Sequence, residues 1–197
     1  HDALPTCALP INPVYSQQIF QTNVTVDGVS YSQLMTTGPQ NADSGKITGL
    51  ELNYQQFFKF LPSPFDGLGL NLNFTVTDSS VILRARTSEL PFFKQSDRIM
   101  NVALFYEKYN WEARLALSYT ADYLDELGAN PNSDLYIRGR KPIDAKVSYR
   151  INSNFKVFAE FLNLGEEPLI QYIGIRRRDF DHEIYQWKAR FGVNFTL

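Results

Sequence analysis

The sequence predicts an all-β chain folded as an antiparallel transmembrane β-barrel. Two observations point there. Apolar and polar residues alternate in runs too long for ordinary soluble strands, and short turns take turns with long polar connections. A third sets a boundary, since no apolar run approaches the roughly 18 residues that a spanning helix needs.

The first clear pair of strands follows Lys46. Leu50, Leu52, Tyr54, Phe58 and Phe60 point one way, with Gly49, Glu51, Asn53 and Gln55 opposite. After the breaker "LPSPFDG", Leu68, Leu70, Leu72, Phe74 and Val76 alternate with Gly69, Asn71, Asn73, Thr75 and Thr77, which predicts a hairpin. A second pair sets Met100, Val102, Leu104 and Tyr106 against Trp111, Ala113, Leu115, Leu117 and Tyr119 across "YN". A third joins Ile143, Ala145, Val147, Tyr149 and Ile151 through "NSN" to Phe155, Val157, Ala159 and Phe161. The last strand carries Tyr185, Trp187, Ala189, Phe191, Val193, Phe195 and Leu197 on one side, and Gln186, Lys188, Arg190, Gly192, Asn194 and Thr196 on the other. The segment before about Asn41 is the least patterned.

Tight turns are expected near Pro62 to Gly67, Tyr109 to Asn110 and Asn152 to Asn154. Long loops are expected near Thr77 to Asp97, Asp125 to Pro142 and Gly165 to His182. That asymmetry is the one outer-membrane barrels show between periplasmic and extracellular ends, and it leaves Leu197 in the periplasm. Amphipathic strands also suit a secreted β-sandwich, a carbohydrate-binding or adhesion module, whose apolar sides face a core. Length separates the two readings. Trp111 to Tyr119 and Trp111 to Tyr123 project to roughly 19 and 28 Å along a barrel axis, at about 3.3 Å per residue and a tilt near 45°. Those spans bracket the roughly 25 Å apolar band of such barrels.

Composition adds less. With 19 basic against 21 acidic residues and a net charge of -2, nothing points to nucleic acid or an anionic surface. The aromatic share of 14% suits strands, sugar-binding surfaces and membrane-interface belts alike. The single Cys7 is a free thiol or half of a pair completed elsewhere. Nothing near His1 resembles a signal peptide, so the chain reads as a fragment.

Three stretches carry a family resemblance: "NADSGKITGLELNYQQFFKFLPSPFDGLGLNLNFTVTDS" (Asn41 to Ser79), "RIMNVALFYEKYNWEARLALSYTADYLDELG" (Arg98 to Gly128) and "IDAKVSYRINSNFKVFAEFLNLGEEP" (Ile143 to Pro168). They look like the C-terminal barrel strands of TonB-dependent receptors, most closely the group typical of sphingomonads, caulobacters and xanthomonads. The resemblance implies that residues 1–197 are the last eight or nine strands of one 22-stranded barrel, without its N-terminal strands or its plug domain. It implies an outer-membrane transporter. Its ligand is captured at extracellular loops, with oligosaccharides and iron-siderophores among the family's ligands, and import is driven by the TonB complex acting on the plug. The closing stretch is similar to the signal read by the barrel assembly machinery, matched here by Arg190, Gly192, Phe195 and Leu197. A passive porin is a further reading that these motifs weaken.

No Ser/His/Asp or His/Cys metal constellation can be assembled from His1 and His182, so neither an enzyme nor a cofactor is expected. "RRR" (Arg176 to Arg178) and "RGRK" (Arg138 to Lys141) fall in presumed extracellular loops. There they could meet anionic ligand or lipopolysaccharide phosphates, or simply be solvated. Tyr119, Tyr123, Tyr136 and Tyr172 could stack on sugar rings or anchor at the interface. The loop candidates for ligand contact are therefore Tyr136, Arg138, Tyr172, Arg176 and Arg178. Glu51, Asn53, Asn71, Asn73, Glu112 and Glu160 fall on the lumen side, where plug or water is their ordinary neighbour. Asn23-Val24-Thr25 and Asn73-Phe74-Thr75 match glycosylation acceptors by chance.

Overall fold

Period-two alternation dictates extended backbone, and the chain forms thirteen strands in the computed structural model, which describes residues 14–83, 86 and 88–196. They are β1 (Val14–Val26), β2 (Val29–Asn41), β3 (Ser44–Phe57), β4 (Leu68–Ile82), β5 (Arg98–Lys108), β6 (Trp111–Thr120), β7 (Tyr123–Glu126), β8 (Leu135–Ile137), β9 (Ile143–Arg150), β10 (Phe155–Leu162), β11 (Leu169–Ile173), β12 (Asp179–Glu183) and β13 (Lys188–Phe195). Among the described residues the only helical pieces are two short 3-10 turns, Phe65–Gly67 and Pro131–Ser133. Cys7, His1 and Leu197 lie outside the described residues.

All pairing is antiparallel. β1 and β2 form their own hairpin across Asp27-Gly28, whose φ values of 48 and 79° meet the positive-φ demand of a type I′ turn. Seven strands make one sheet in the order β13-β10-β9-β6-β5-β4-β3, and four make a second, β12-β11-β8-β7. The second sheet prolongs the first. Leu117↔Ile143 in one and Tyr123↔Ile137 in the other lie on a single continuous register, bridged by Thr120↔Arg140. β6, β9, β10 and β13 are thus each interrupted once and resumed as β7, β8, β11 and β12, while β3, β4 and β5 run unbroken.

Between β10 and β11 the interruption has a physical cause at Asn163. Moving eight residues from Ala145 to Ile137 along β9 and β8 corresponds to ten from Phe161 to Gln171 along β10 and β11. The two surplus residues are taken up in a turn after Asn163, whose φ is 54°. Its side-chain amide donates to the carbonyls of Glu167 (3.2 Å) and Tyr185 (3.0 Å) and accepts from Glu167 N–H (2.9 Å), replacing the missing ladder bonds. Because the surplus is even, the faces do not exchange.

The short turns form where expected. Tyr109 and Asn110, with φ of 53 and 66°, close the β5–β6 hairpin. Asn152 Oδ1 accepts from the backbone N–H groups of Asn154 and Phe155, both at 2.9 Å, closing β9–β10. Lys108 ties the short-turn end together, pairing with Asp66 and donating to Ser63 Oγ at 3.0 Å, while Ser63 also meets the Tyr109 hydroxyl at 2.8 Å. The Lys108 ammonium holds the Asp66 carboxyl below its ordinary range.

Three expectations are corrected. Phe58 and Phe60 are not strand residues, because β3 ends at Phe57 and they belong to the turn, their rings 5.9 Å apart. β4 continues past Thr77 to Ile82. The presumed loops Asp125 to Pro142 and Gly165 to His182 contain β8, β11 and β12. Their Asp, Asn, Gly and Pro content reads as loop, yet pairing with a neighbour that is already extended overrides a weak local preference.

The outer face, even-numbered on β3 to β5 and odd-numbered on β6, β9, β10 and β13, stays bare. Leu50 is 66% exposed, Leu52 52% and Phe191 70%, so among the described residues no second sheet packs there as a sandwich requires. The inner face carries most of the polar residues, and at two places on it an aromatic ring covers a glycine. Phe105 lies over its cross-strand partner Gly69, and Phe158 over Gly192. A Cβ on Gly192 would meet the Phe158 ring at 2.5 and 2.7 Å. Gly192→Ala is therefore expected to cost about 1–3 kcal/mol through overpacking, and much less in a Phe158→Ala background. A double-mutant cycle in urea unfolding checks this, and additive losses would show that Gly192 matters for another reason.

Candidate functional site

Two surfaces lie on the polar side of the sheet, the wall itself and the mouth formed by the long connections at the end opposite the short turns. The wall divides by chemistry. On β3 and β4, amides bond to one another across strands: Asn73 Nδ2 donates to Asn53 Oδ1 (2.6 Å) and Glu51 Oε1 (3.1 Å), and Asn71 Nδ2 to Gln55 Oε1 (3.5 Å). On β6, β9, β10 and β13 the wall is ionic. Glu112 holds Lys156 and Arg150 (3.7 Å), and Glu160 holds Lys146 (3.0 Å) and Arg190. The six lumen residues expected from alternation all fall on this wall.

The mouth has a core of its own. Ala42, Val81, Leu83, Leu90 and Leu124 are buried together, with Phe92, Phe93, Leu127 and Tyr136 packed against them. Val81 and Leu124 lie on the inner face by parity, so the segment after β4 folds across the inner side of the β7–β8 pair, and Leu90 bridges back to Val81. Beneath it Asp134, fully buried, pairs with Arg86 and accepts from Gly128 N–H at 2.9 Å, while Arg86 also donates to Gly128 O at 2.8 Å. One cation thereby fastens the segment after β4 to the β7–β8 loop.

Each loop residue singled out for ligand contact is engaged within the chain. Tyr136 and Tyr172 stack on each other, centroids 5.1 Å apart and planes 7° apart, and Tyr172 is only 7% exposed. The Tyr172 hydroxyl donates to Asp122 Oδ2 at 3.1 Å. Burial first, and then the Asp122 carboxylate, pushes that hydroxyl well above its usual titration range, so it remains a donor. Asp122 is a hub, since it also takes Arg176 Nε at 3.1 Å and Gly139 N–H at 2.8 Å. Arg138 pairs with Asp179 and donates to Arg176 O at 2.7 Å, and Arg178 donates to Asn132 O at 3.1 Å. Of the "RRR" run, Arg177 makes no ion pair among the described residues.

The closing-strand residues separate by face. Arg190 and Gly192 are on the lumen side, paired with Glu160 and covered by Phe158, whereas Phe195 is outside, its ring 4.9 Å from Phe155. Sequence reasoning missed the Arg86–Asp134 pair and the Asp122 hub. No local pattern marks either, because their partners are brought together only by strand pairing.

A wall with one bare apolar face, one polar face, short turns at one end and a folded mouth at the other is a segment of an outer-membrane β-barrel. The family model described as TonB dependent receptor-like, beta-barrel, matches residues 14–164, from β1 through the end of β10. The chain belongs to that family, whose members are outer-membrane transport receptors that work with a plug domain and TonB. No curated protein and no solved structure matches the chain.

Replacing Asp134 by Ala would strand the Arg86 charge in the mouth's core. The expected loss is about 3–5 kcal/mol, the scale for breaking a buried pair from one side. Limited proteolysis of the intact receptor should then cut between residues 83 and 97 well before the wild type is touched.

Proposed function

We propose that the chain is the closing part of an outer-membrane active-transport receptor that binds a scarce ligand, of oligosaccharide or iron-siderophore type, and imports it with TonB-coupled energy. The observation that carries this reading is the family match laid on a wall whose lumen face carries amide rows on β3 and β4 and ion pairs on β6, β9, β10 and β13. The amide rows of β3 and β4 support the oligosaccharide member of that pair, because neutral hydroxyls exchange readily among amide donors and acceptors.

Within the seven-stranded sheet, β3 and β13 each pair on one side only. Hydrocarbon does not tolerate unpaired backbone, so we assign the β3 edge to the β1–β2 hairpin that precedes it in the chain, and the β13 and β1 edges to further N-terminal strands of the same barrel, with the plug domain inside it. Tyr136, Arg138, Tyr172, Arg176 and Arg178 reach a ligand only if the ties around Asp122 and Asp179 release, which makes them residues of an opening mouth rather than a fixed rim. Arg177, which makes no ion pair among the described residues, would be available to meet lipopolysaccharide phosphate. The resemblance to the sphingomonad, caulobacter and xanthomonad group, and recognition of Arg190, Gly192, Phe195 and Leu197 by the barrel assembly machinery, belong to the same proposal.

Import is tested with the intact receptor in cells, by following radiolabelled malto-oligosaccharides and ferric siderophores. Accumulation of one class is expected, falling to background when TonB is removed or the proton gradient is collapsed. Uptake indifferent to both treatments would indicate a passive pore.

The closing strand offers a second check. Phe195→Arg is expected to lower outer-membrane abundance and to cost up to about 2–4 kcal/mol, less towards the interface, while Asn194→Arg on the lumen face is tolerated. Heat-modifiable gel migration of both variants reads the difference, and equal behaviour would reverse the face assignment.

A further inference from the structure

One row of cross-strand partners on the lumen wall reads Phe105, Arg114, Lys146, Glu160, Arg190, from β5 to β13. Arg114 stands directly opposite Lys146, an arrangement of like charges that destabilises a sheet unless something neutralises it. Glu160 serves the other two cations, contacting Lys146 at 3.0 Å and pairing with Arg190. Arg114 is left over, for among the described residues its guanidinium makes neither an ion pair nor a hydrogen bond. The adjacent row does not supply an anion. Glu112 is shared by Lys156 and Arg150, and Glu107, opposite Glu112, forms no pair with Arg114.

This unneutralised cation opens into a hollow of about 340 Å³ on the lumen side. Phe57 and Phe105 form its apolar floor, meeting edge to face at 4.8 Å and 81°, and Gln55 and Asn71 form an amide rim. Lys146 and Lys156 add positive charge against Glu107 and the already shared Glu112, so the lining carries a net positive charge. A planar guanidinium beside an aromatic floor matches a planar carboxylate borne on an apolar body, which the guanidinium can take with two parallel hydrogen bonds.

We propose that this hollow is a lumen site for an organic carboxylate. Arg114 is its bidentate partner, Lys146 the second cation, and Phe57 and Phe105 the surface on which its apolar part rests. The site stands apart from the extracellular mouth, and it depends on the lumen assignment of this face and not on the nature or energy source of import.

The test uses the intact receptor in detergent, with benzoate as probe and benzamide as its uncharged counterpart, and follows binding by saturation-transfer NMR. Benzoate should bind and benzamide should not. Arg114→Gln should weaken benzoate about tenfold, the loss of one charge-assisted contact, and Arg114→Lys should restore part of it. Lys146→Gln gives an independent reading by a smaller loss, and Arg98→Gln, at the far end of β5 on the outer face, should change nothing. Heat-modifiable migration establishes that each variant is folded. If Arg114→Gln does not fold, Lys146→Gln and the benzamide comparison decide. Wild-type receptor that ignores benzoate, takes benzamide equally well, or binds as tightly without either cation would overturn the proposal. Uptake in cells, measured separately, would be unaffected by that outcome.

Discussion

Backbone amides and carbonyls cannot be left unpaired in hydrocarbon, and everything else about this chain follows from meeting that demand with strands. Pairing has to be continuous, so strands are long and neighbours in sequence are neighbours in space, as the order of the seven-stranded sheet shows. Continuous pairing also locks parity. Once Leu72 sits opposite Val102 and Leu104 opposite Leu115, every alternate residue is committed to the bare face and every other one to the lumen. The two-residue surplus at Asn163 respects the same rule. An odd surplus would have turned Tyr172 outward and dissolved the stack with Tyr136.

The lumen wall shows how charge is arranged under that constraint. Register places Glu107 against Glu112, Arg114 against Lys146 and Arg150 against Lys156, which are unfavourable opposite pairs. Relief comes from Glu112 and Glu160, each shared by two cations on two other strands. Such exposed pairs contribute little singly, typically about 0–1 kcal/mol, so their importance lies in which charge they leave unmatched. The mouth uses the opposite regime, since Arg86 and Asp134 are buried and their pairing holds a loop in place.

The mouth's structure alters what its tyrosines and arginines can do. As exposed loop residues they would form a ready binding surface, whereas in the folded mouth they are bound to Asp122, Asp179 and one another. Any further contact by these groups has to compete with the ones they already make.

Alternation in Leu68 to Val76 or Phe191 to Phe195 determined strand and face directly from the sequence, because a period of two is a property of the extended backbone itself, and the length of the runs pointed to the membrane setting. Tyr109-Asn110 and Asn152 to Asn154 were equally legible as turns, and Asp27-Gly28 carries the same two-residue signal in the stretch that read as least patterned. Only the tertiary structure decided that Leu135–Ile137, Leu169–Ile173 and Asp179–Glu183 are strands, since their local preferences are weak and a paired neighbour supplies the missing stabilisation. It alone joined Arg86 to Asp134, Tyr172 to Asp122 and Phe158 to Gly192, and it alone left Arg114 unmatched. Such contacts depend on register between distant segments, and one chain's sequence records each strand's faces but not which residue of the next strand each will meet.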